Sequence, residues 1–353
     1  MSGRWAVVVL GLLPGLGSLA WAQNEPSDGP KTVAVRSWTV ERDGGTWAVR
    51  PAAPTSMGDT GLFRLVGSAY TLPKKLFAFS IFRDNVDRDP KGTDFSVHGF
   101  TVAYGVTHRL EIFGALGIEN RVKAHFLDER GGPNEYPFVG DSWGTGFGDV
   151  WLGAKYGLPS DSLGDRVGIA VKGFFKIPTA NADKGLGTGT STIGADLLLS
   201  KTFDVGADLH AALGYELNGN PDPPDVRETP AQVSEIPAGP DSVGNAIRWG
   251  VGLNLPARRT VQLQMELSGR IYGDTTVEQT NTADLIIGAA FWLKPGLFIR
   301  PSYVYALGYD GRGRVVSTGR RSGFNIAIGF HGGTPCCAVR APPVSPPPPA
   351  SRR

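Results

Sequence analysis

Residues 261–271 read VQLQMELSGRI and decide the fold. Val, Leu, Met and Leu stand at every second position from 261 to 267, and Gln, Gln, Glu and Ser stand between or after them. Successive side chains of a β-strand point to opposite faces, so this period of two predicts a strand with one apolar face and one polar face. A helix would instead repeat its apolar positions every three or four residues.

The same alternation recurs along most of the chain. It predicts twelve strands, near residues 76–83, 95–105, 109–119, 149–156, 167–177, 193–201, 207–217, 247–255, 261–271, 284–293, 297–307 and 323–330. Four connections are tight turns, at 106–108, 202–204, 256–259 and 294–296, and 158–166 is intermediate, whereas others are long, at 84–94, 120–146, 179–192, 218–244, 272–281 and 308–321. Short turns at one end and long loops at the other are typical of an up-and-down barrel that crosses an outer membrane.

The composition agrees with this fold class. The 353 residues include 49 Gly and 27 Pro, which disfavour a long helical bundle, and the net charge of +2 gives no reason to expect nucleic-acid binding. A hydrophobic content of 41% argues against a polytopic helical membrane protein. We therefore predict an all-β fold, a closed antiparallel up-and-down transmembrane β-barrel of about 12 strands over residues 75–330.

A soluble barrel with its apolar face turned inward has the same alternation and stays an alternative. Strand lengths near 9 to 11 residues favour a tilted bilayer crossing, since strands of soluble sheets most often have about 5 to 6. Aromatic side chains also recur toward the ends of the predicted strands, as interfacial girdles require, at Tyr156, Tyr215, Trp292, Tyr303, Tyr305 and Phe330.

The segments outside the barrel have their own signals. Residues 1–22 combine Arg4, an apolar stretch and Ala-Trp-Ala, which predicts a cleaved signal peptide, with a retained membrane helix as the alternative. Residues 23–74 are expected to form a periplasmic N-terminal extension, and packing into or under the barrel is left open. Residues 331–353 form a Pro-rich tail containing four consecutive prolines, a semi-rigid spacer or a disordered terminus. Its adjacent Cys336 and Cys337 are not expected to staple the fold.

The predicted polar faces carry charges of both signs. The candidate lumen residues are Glu111, Glu119, Asp149, Lys155, Lys172, Lys176, Asp196, Asp208, His210, Glu216, Arg248, Glu266, Arg270 and Arg300. They could line a solute passage or pair with one another and fill the interior. Twelve strands lie between the eight that enclose a filled interior and the 16 to 18 that leave a channel, so both alternatives stay open.

Nothing in the sequence indicates catalysis. The five histidines lack metal-ligand spacing, no nucleophile elbow occurs, and we expect no catalytic residue, metal or cofactor. Acidic residues at 84–89 could bind calcium, but a solvated loop is the favoured interpretation because the Gly and distal Glu of an EF-hand are missing.

Two resemblances rest on short motifs. GDTGL at 58–62, AYTLP at 69–73 and YGVTHRLE at 104–111 resemble the opening of OmpA-type outer-membrane barrels that continue into a Pro-rich linker and a peptidoglycan-binding domain. That domain is not expected here. GFGDVW at 146–151, KY at 155–156, PT at 178–179 and the glycines at 185, 187 and 189 are similar to transporter-like barrels grouped with a phenol-degradation meta pathway. Both resemblances imply an exported barrel.

The functional expectation is a porin-like or transporter-like passage for small solutes in the cell outer membrane. A non-conducting structural or adhesive barrel, whose long loops bind partners, is the alternative. The expected partners are outer-membrane lipid, small solutes and the barrel assembly machinery. The last follows from residues 323–330, which alternate and end in Phe330, similar to the closing strand by which outer-membrane proteins are recognised for assembly.

Overall fold

The computed structural model describes residues 38–42, 45–49, 52–88, 93–124, 135–158, 167–203, 206–220, 243–256, 260–273, 281–293, 296–308 and 322–332. The predicted signal peptide, the two cysteines and the proline run of the tail lie outside the described residues. No helix in the described part of the chain is long and apolar enough to cross a bilayer.

Twelve long strands build the molecule. They are β3 (Phe77–Arg88), β4 (Thr93–Gly105), β5 (Leu110–Ala124), β7 (Val150–Gly157), β8 (Gly168–Ile177), β9 (Thr192–Thr202), β10 (Asp208–Asn218), β11 (Ala246–Leu255), β12 (Val261–Tyr272), β13 (Thr282–Trp292), β14 (Leu297–Gly308) and β15 (Ser322–His331). Three short strands were not expected: β1 (Trp38–Arg42) and β2 (Gly45–Val49), which form a hairpin, and β6 (Gly144–Gly146), which pairs with β5.

The long strands close into a cylinder. Each pairs antiparallel with the next long strand along the chain, and β15 pairs with β3 from Gly323 opposite Val86 to His331 opposite Ala78. Closure satisfies the backbone groups of every strand and leaves no edge in lipid. The predicted 12-stranded up-and-down barrel is confirmed.

The two faces of β12 show which side of the wall is apolar. Leu263 is 60% exposed and Met265 42%, whereas Gln262, Gln264 and Glu266 are at most 2% exposed. Apolar side chains on the outside and ionised groups on the inside suit a barrel whose outer surface contacts lipid. A soluble barrel would show the opposite arrangement.

Two details of the predicted strands are wrong. The connection expected at 84–94 is mostly strand, because β3 continues to Arg88 and pairs with β4 as far as Thr93. The acidic residues at 84–88 are therefore strand residues and not a calcium loop. Trp292 is not a girdle residue either: it is 3% exposed and points inward, where its Nε1 donates a hydrogen bond to Gln262 at 2.9 Å.

Phenylalanine side chains on the inner wall lie over glycines of the neighbouring strand. The directly opposed pairs are Phe82 with Gly99, Phe113 with Gly153 and Phe174 with Gly194. A Cβ atom at any of these glycines would collide with the ring opposite. The glycines thus give the rings room to lie flat against the wall.

This packing makes Gly153 sensitive to substitution. Gly153→Ala is expected to lower the free energy of unfolding by about 1–3 kcal/mol, because the new methyl group must displace the Phe113 ring. Urea unfolding in lipid vesicles would measure the change. Gly173→Ala is the matched control, since its Cβ would meet nothing within 4 Å, and an equal loss in both variants would contradict the packing argument.

Candidate functional site: a plugged lumen

The lumen is filled by the chain segment that precedes the first barrel strand. Residues 52–76, called the plug below, include Leu62, Phe63 and Val66, which are at most 1% exposed and pack with inward-facing Val86 and with further apolar residues of the wall. Residues 52–74 of the predicted extension therefore pack into the barrel, which is one of the options that the sequence left open. The sequence of the plug contains no long apolar run. It is buried because the closed barrel surrounds it with apolar and charged side chains.

Glu266 on β12 holds the centre of the plug through its backbone. Its carboxylate accepts hydrogen bonds from the backbone N–H groups of Phe63 at 2.8 Å, Arg64 at 3.0 Å and Leu65 at 2.9 Å. Ser268 donates a further hydrogen bond at 2.7 Å. Three consecutive N–H groups converge on one buried anion, so the plug backbone itself is the ligand of this carboxylate.

Arg64 of the plug connects two distant strands. Its guanidinium lies 2.6 Å from a carboxylate oxygen of Asp84 on β3 and 2.6 Å from one of Asp284 on β13. Burial alone would lower the pKa of Arg64, but the attraction of these two carboxylates outweighs it and the pKa is raised. The guanidinium therefore stays charged and ties the plug to two carboxylates of the wall, on strands that are three apart in the barrel.

A second buried pair holds the plug at Thr60. Glu111 on β5 accepts hydrogen bonds from the backbone N–H and hydroxyl of Thr60, both at 2.9 Å, and from the N–H of Leu72 at 2.9 Å. Lys155 on β7 lies 3.1 Å from Glu111 and donates to the carbonyl of Thr60 at 3.0 Å. Both charged side chains are fully buried. Water could replace each of their contacts with the plug if the plug left the lumen.

Arg300 on β14 also binds the plug. It donates hydrogen bonds to the carbonyl oxygens of Leu62 and Pro54, the latter at 2.8 Å. Its guanidinium also lies 5.1 Å from the centre of the Phe63 ring, within range of a cation–π contact. The wall thus supplies donors for plug carbonyls as well as acceptors for plug amides.

A row of charges of alternating sign runs from the plug to the loops. In order, its members are Asp59, Lys172, Asp196, Arg248, Glu216, Arg270 and Glu135. Neighbouring nitrogen and oxygen atoms are 3.5, 2.8, 3.0, 3.0, 3.1 and 3.2 Å apart in that order. Each inner member has an opposite charge on both sides, which offsets the cost of burying it.

Most of the predicted lumen residues are buried on the inner wall. Eleven of them are buried: Glu111, Lys155, Lys172, Lys176, Asp196, Asp208, His210, Glu216, Arg248, Glu266 and Arg300. Asp149 and Arg270 keep 10% and 16% of their side chains exposed. His210 lies 2.7 Å from the Ser200 hydroxyl, which also accepts from the backbone N–H of Ala69 in the plug.

Glu119 differs from the rest of the predicted set. A bulge shifts the register of β4 and β5 between His98 and Gly99, so that residue 118 has no partner and the side chains after it change face. Glu119 is half exposed and lies 3.4 Å from His98. Strict alternation carried through the bulge therefore assigned this residue to the wrong face.

A cavity of about 240 Å³ lies in the lumen at the long-loop end, and we call it the vestibule. Arg64 and Ser56 of the plug contribute to its lining. Aromatic and apolar residues also line it, namely Phe82, Phe95, Val97, Tyr136, Trp151 and Leu186, and so do charged residues, namely Asp84, Glu135, Asp149, Lys176, Glu216 and Arg270. The vestibule combines apolar surface for a small molecule with nearby polar groups that could orient it.

Five charged residues of this site were not predicted, and one of them, Glu135, lies in a connection that was predicted to be a long loop. Asp59 and Arg64 belong to the plug, for which the sequence has no periodic signal, and Asp84 was assigned to a loop. Asp284 begins a predicted strand, and its alternation with Leu285 and Ile287 could have identified it as inward-facing. The plug residues meet their partners only in the closed barrel, so the sequence alone does not identify them as part of the site.

The profile of the family described as "Putative MetA-pathway of phenol degradation" matches residues 89–322. The chain belongs to this family. The predicted resemblance to phenol-degradation barrels is thereby confirmed, and the resemblance to OmpA-type barrels stays a prediction. No curated protein matches the chain by sequence.

Solved structures of three bacterial proteins are similar to the chain. An outer membrane channel from Pseudomonas putida F1 is 13% identical, with 75% of this chain and 98% of that chain covered and a TM-score of 0.50. The β domain of the Bordetella autotransporter BrkA is 15% identical over 73% and 99%, with a TM-score of 0.42. The Ralstonia pickettii toluene transporter TbuX is 11% identical over 78% and 96%, with a TM-score of 0.37. At this level of identity, the likeness to the Pseudomonas channel shows the fold, a closed β-barrel.

Proposed function

We propose that this barrel is a gated passage for small, weakly polar aromatic solutes, exported by its signal peptide to the outer membrane. The proposal rests on the vestibule, which opens at the long-loop end of the lumen and is closed at its inner end by the plug. The plug is held by apolar packing, hydrogen bonds and ion pairs, and its release would leave the backbone pairing of the wall in place. The family's description supports aromatic compounds as the solutes.

The vestibule lining supports a solute with a ring and little charge. Phe95 and Tyr136 form a ring pair 5.8 Å apart, and Trp151 lies 5.9 Å from Phe174. The charged groups beside them are already paired: Lys176 lies 3.2 Å from Asp149. An ionic solute would have to compete with these pairs, whereas a neutral aromatic solute needs only the apolar surface.

Uptake into liposomes tests the proposal. Wild-type protein is expected to admit phenol-sized neutral aromatic compounds faster than sugars or aromatic carboxylates. Phe95→Ala should reduce aromatic uptake on the order of tenfold, because it removes one wall of the vestibule. Phe100→Ala, on the outer face of the same strand, is the matched control.

The alternative, a structural barrel with a permanently filled lumen, is favoured by the same plug contacts. It predicts no uptake of any solute by correctly folded protein, and no effect of Phe95→Ala. Equal uptake of sugars and aromatic compounds would instead favour an unselective pore and would contradict the proposed solute class.

A further inference from the structure

Three polar side chains near the short-turn end of the lumen each have a buried oxygen atom without a hydrogen-bond partner. They are Asp208, Asn254 and Gln264, which are 3%, 4% and 2% exposed. The Oδ1 atoms of Asp208 and Asn254 and the Oε1 atom of Gln264 have no hydrogen-bond partner in the structure as described. Buried polar atoms nearly always have a hydrogen-bond partner, so three neighbouring oxygen atoms without one require an explanation.

The three residues are direct neighbours on the wall. In the strand register Asp208 on β10 faces Asn254 on β11, and Asn254 faces Gln264 on β12. Directly opposed residues have Cβ atoms about 4.5–5.5 Å apart, so the three side chains point into one region of the lumen from three adjacent strands. Their oxygens can therefore approach a single bound ion.

Asp208 is the unusual member because it is a carboxylate. The other buried carboxylates of the lumen described above lie beside lysine or arginine or accept several hydrogen bonds, as Asp196 does from Arg248 and Glu266 does from the plug. Among the described residues Asp208 has no ion pair, and its Oδ1 atom accepts no hydrogen bond. A buried carboxylate without a partner is strongly disfavoured, and a bound cation would remove that penalty.

We propose that Asp208, Asn254 and Gln264 bind a small monovalent cation such as sodium or potassium. Carboxylate and amide oxygens are the ligands that hard cations prefer. One carboxylate with two neutral amides carries a single negative charge, which one monovalent ion neutralises in this water-poor environment. Ordered water, which would also satisfy the oxygens but not the charge, is the competing explanation that the experiment must separate.

The site would fix the short-turn end of three adjacent strands. Asp208 is the first residue of β10, and Gln264 lies three residues after the start of β12. An ion shared by these positions cross-links the strands on the inner face. It is thus expected to stabilise the folded barrel in proportion to its occupancy. This role does not depend on whether the lumen conducts.

Thermal unfolding of the full-length protein in detergent micelles tests the proposal. The melting temperature is measured in sodium, potassium, calcium or N-methylglucamine chloride at equal ionic strength. We expect sodium or potassium to raise Tm by several degrees over N-methylglucamine, which is too large to enter. Asp208→Asn, which keeps the side-chain shape, should abolish this difference, and Glu119→Gln, at an exposed carboxylate, should retain it.

Two results would overturn the inference. One is a wild-type Tm that is the same in all four salts, which would indicate water in the site. The other is an Asp208→Asn variant that keeps the cation dependence of the wild type. A larger shift with calcium than with sodium would overturn the monovalent assignment. If Asp208→Asn fails to fold, line broadening of sodium-23 resonances by the wild-type protein, reversed by excess potassium, provides the deciding measurement.

Discussion

Glu266→Ala is expected to release the plug while leaving the barrel wall intact. The substitution removes the acceptor of three backbone N–H groups, at Phe63, Arg64 and Leu65. Each N–H left buried without a partner costs about 1–3 kcal/mol, so the docking of the plug should lose about 3 kcal/mol or more. The barrel strands themselves do not need this carboxylate, because their pairing is through the backbone.

Hydrogen exchange reports this local opening directly. The amides of residues 63–65 should exchange on the order of a hundredfold faster in Glu266→Ala, because about 1.4 kcal/mol corresponds to a factor of ten. Amides in β12 should keep their protection. Glu266→Gln retains one oxygen acceptor and should give an intermediate effect, while Glu119→Gln should have none. Unchanged protection at residues 63–65 would show that Glu266 does not hold the plug.

The barrel could be predicted from the sequence because each strand carries its own evidence. In β12 the alternation of Leu263 and Met265 with Gln264 and Glu266 is local, and the structure keeps it. The same rule failed at Glu119, where a bulge adds one residue to β5 and nothing in the sequence marks it. Alternation predicts faces only as long as the register is unbroken.

The plug could not be predicted in the same way because its partners are distant in sequence. Arg64 meets Asp284, which is 220 residues away, and Phe63 meets Glu266, which is 203 residues away. The residues of the plug have no period, since they pack against all sides of a cylinder and not against one surface. The charges on the polar faces were the available signal, because so many buried ions need partners inside the lumen.

Deletion of residues 52–73 is expected to convert the closed barrel into a conducting one. The deletion removes Arg64 and Asp59 together with the apolar residues that fill the lumen, and it leaves β3 free to pair with β15 as before. A barrel of 12 strands is wider than the eight-stranded barrels whose side chains fill the interior. Water can therefore enter and hydrate the inner wall.

The charges left behind predict the ion preference of that channel. Among the described residues, the inner wall keeps eight carboxylates, at Asp84, Glu111, Asp149, Asp196, Asp208, Glu216, Glu266 and Asp284. It keeps six cationic side chains, at Lys155, Lys172, Lys176, Arg248, Arg270 and Arg300. An excess of carboxylates favours cations in a narrow aqueous passage, so we expect weak cation selectivity.

Planar-bilayer recording would decide the outcome. The deletion variant should give stable conductance steps where the wild type is mostly silent, and its reversal potential in a salt gradient should indicate cation preference. A heat-induced shift in gel mobility would first establish that the variant is folded. Because the plug ties Glu111 on β5 to Glu266 on β12 through its own backbone, its loss should also lower thermal stability. A folded variant that stays silent would mean that wall side chains close the lumen unaided, and the gated passage would be refuted.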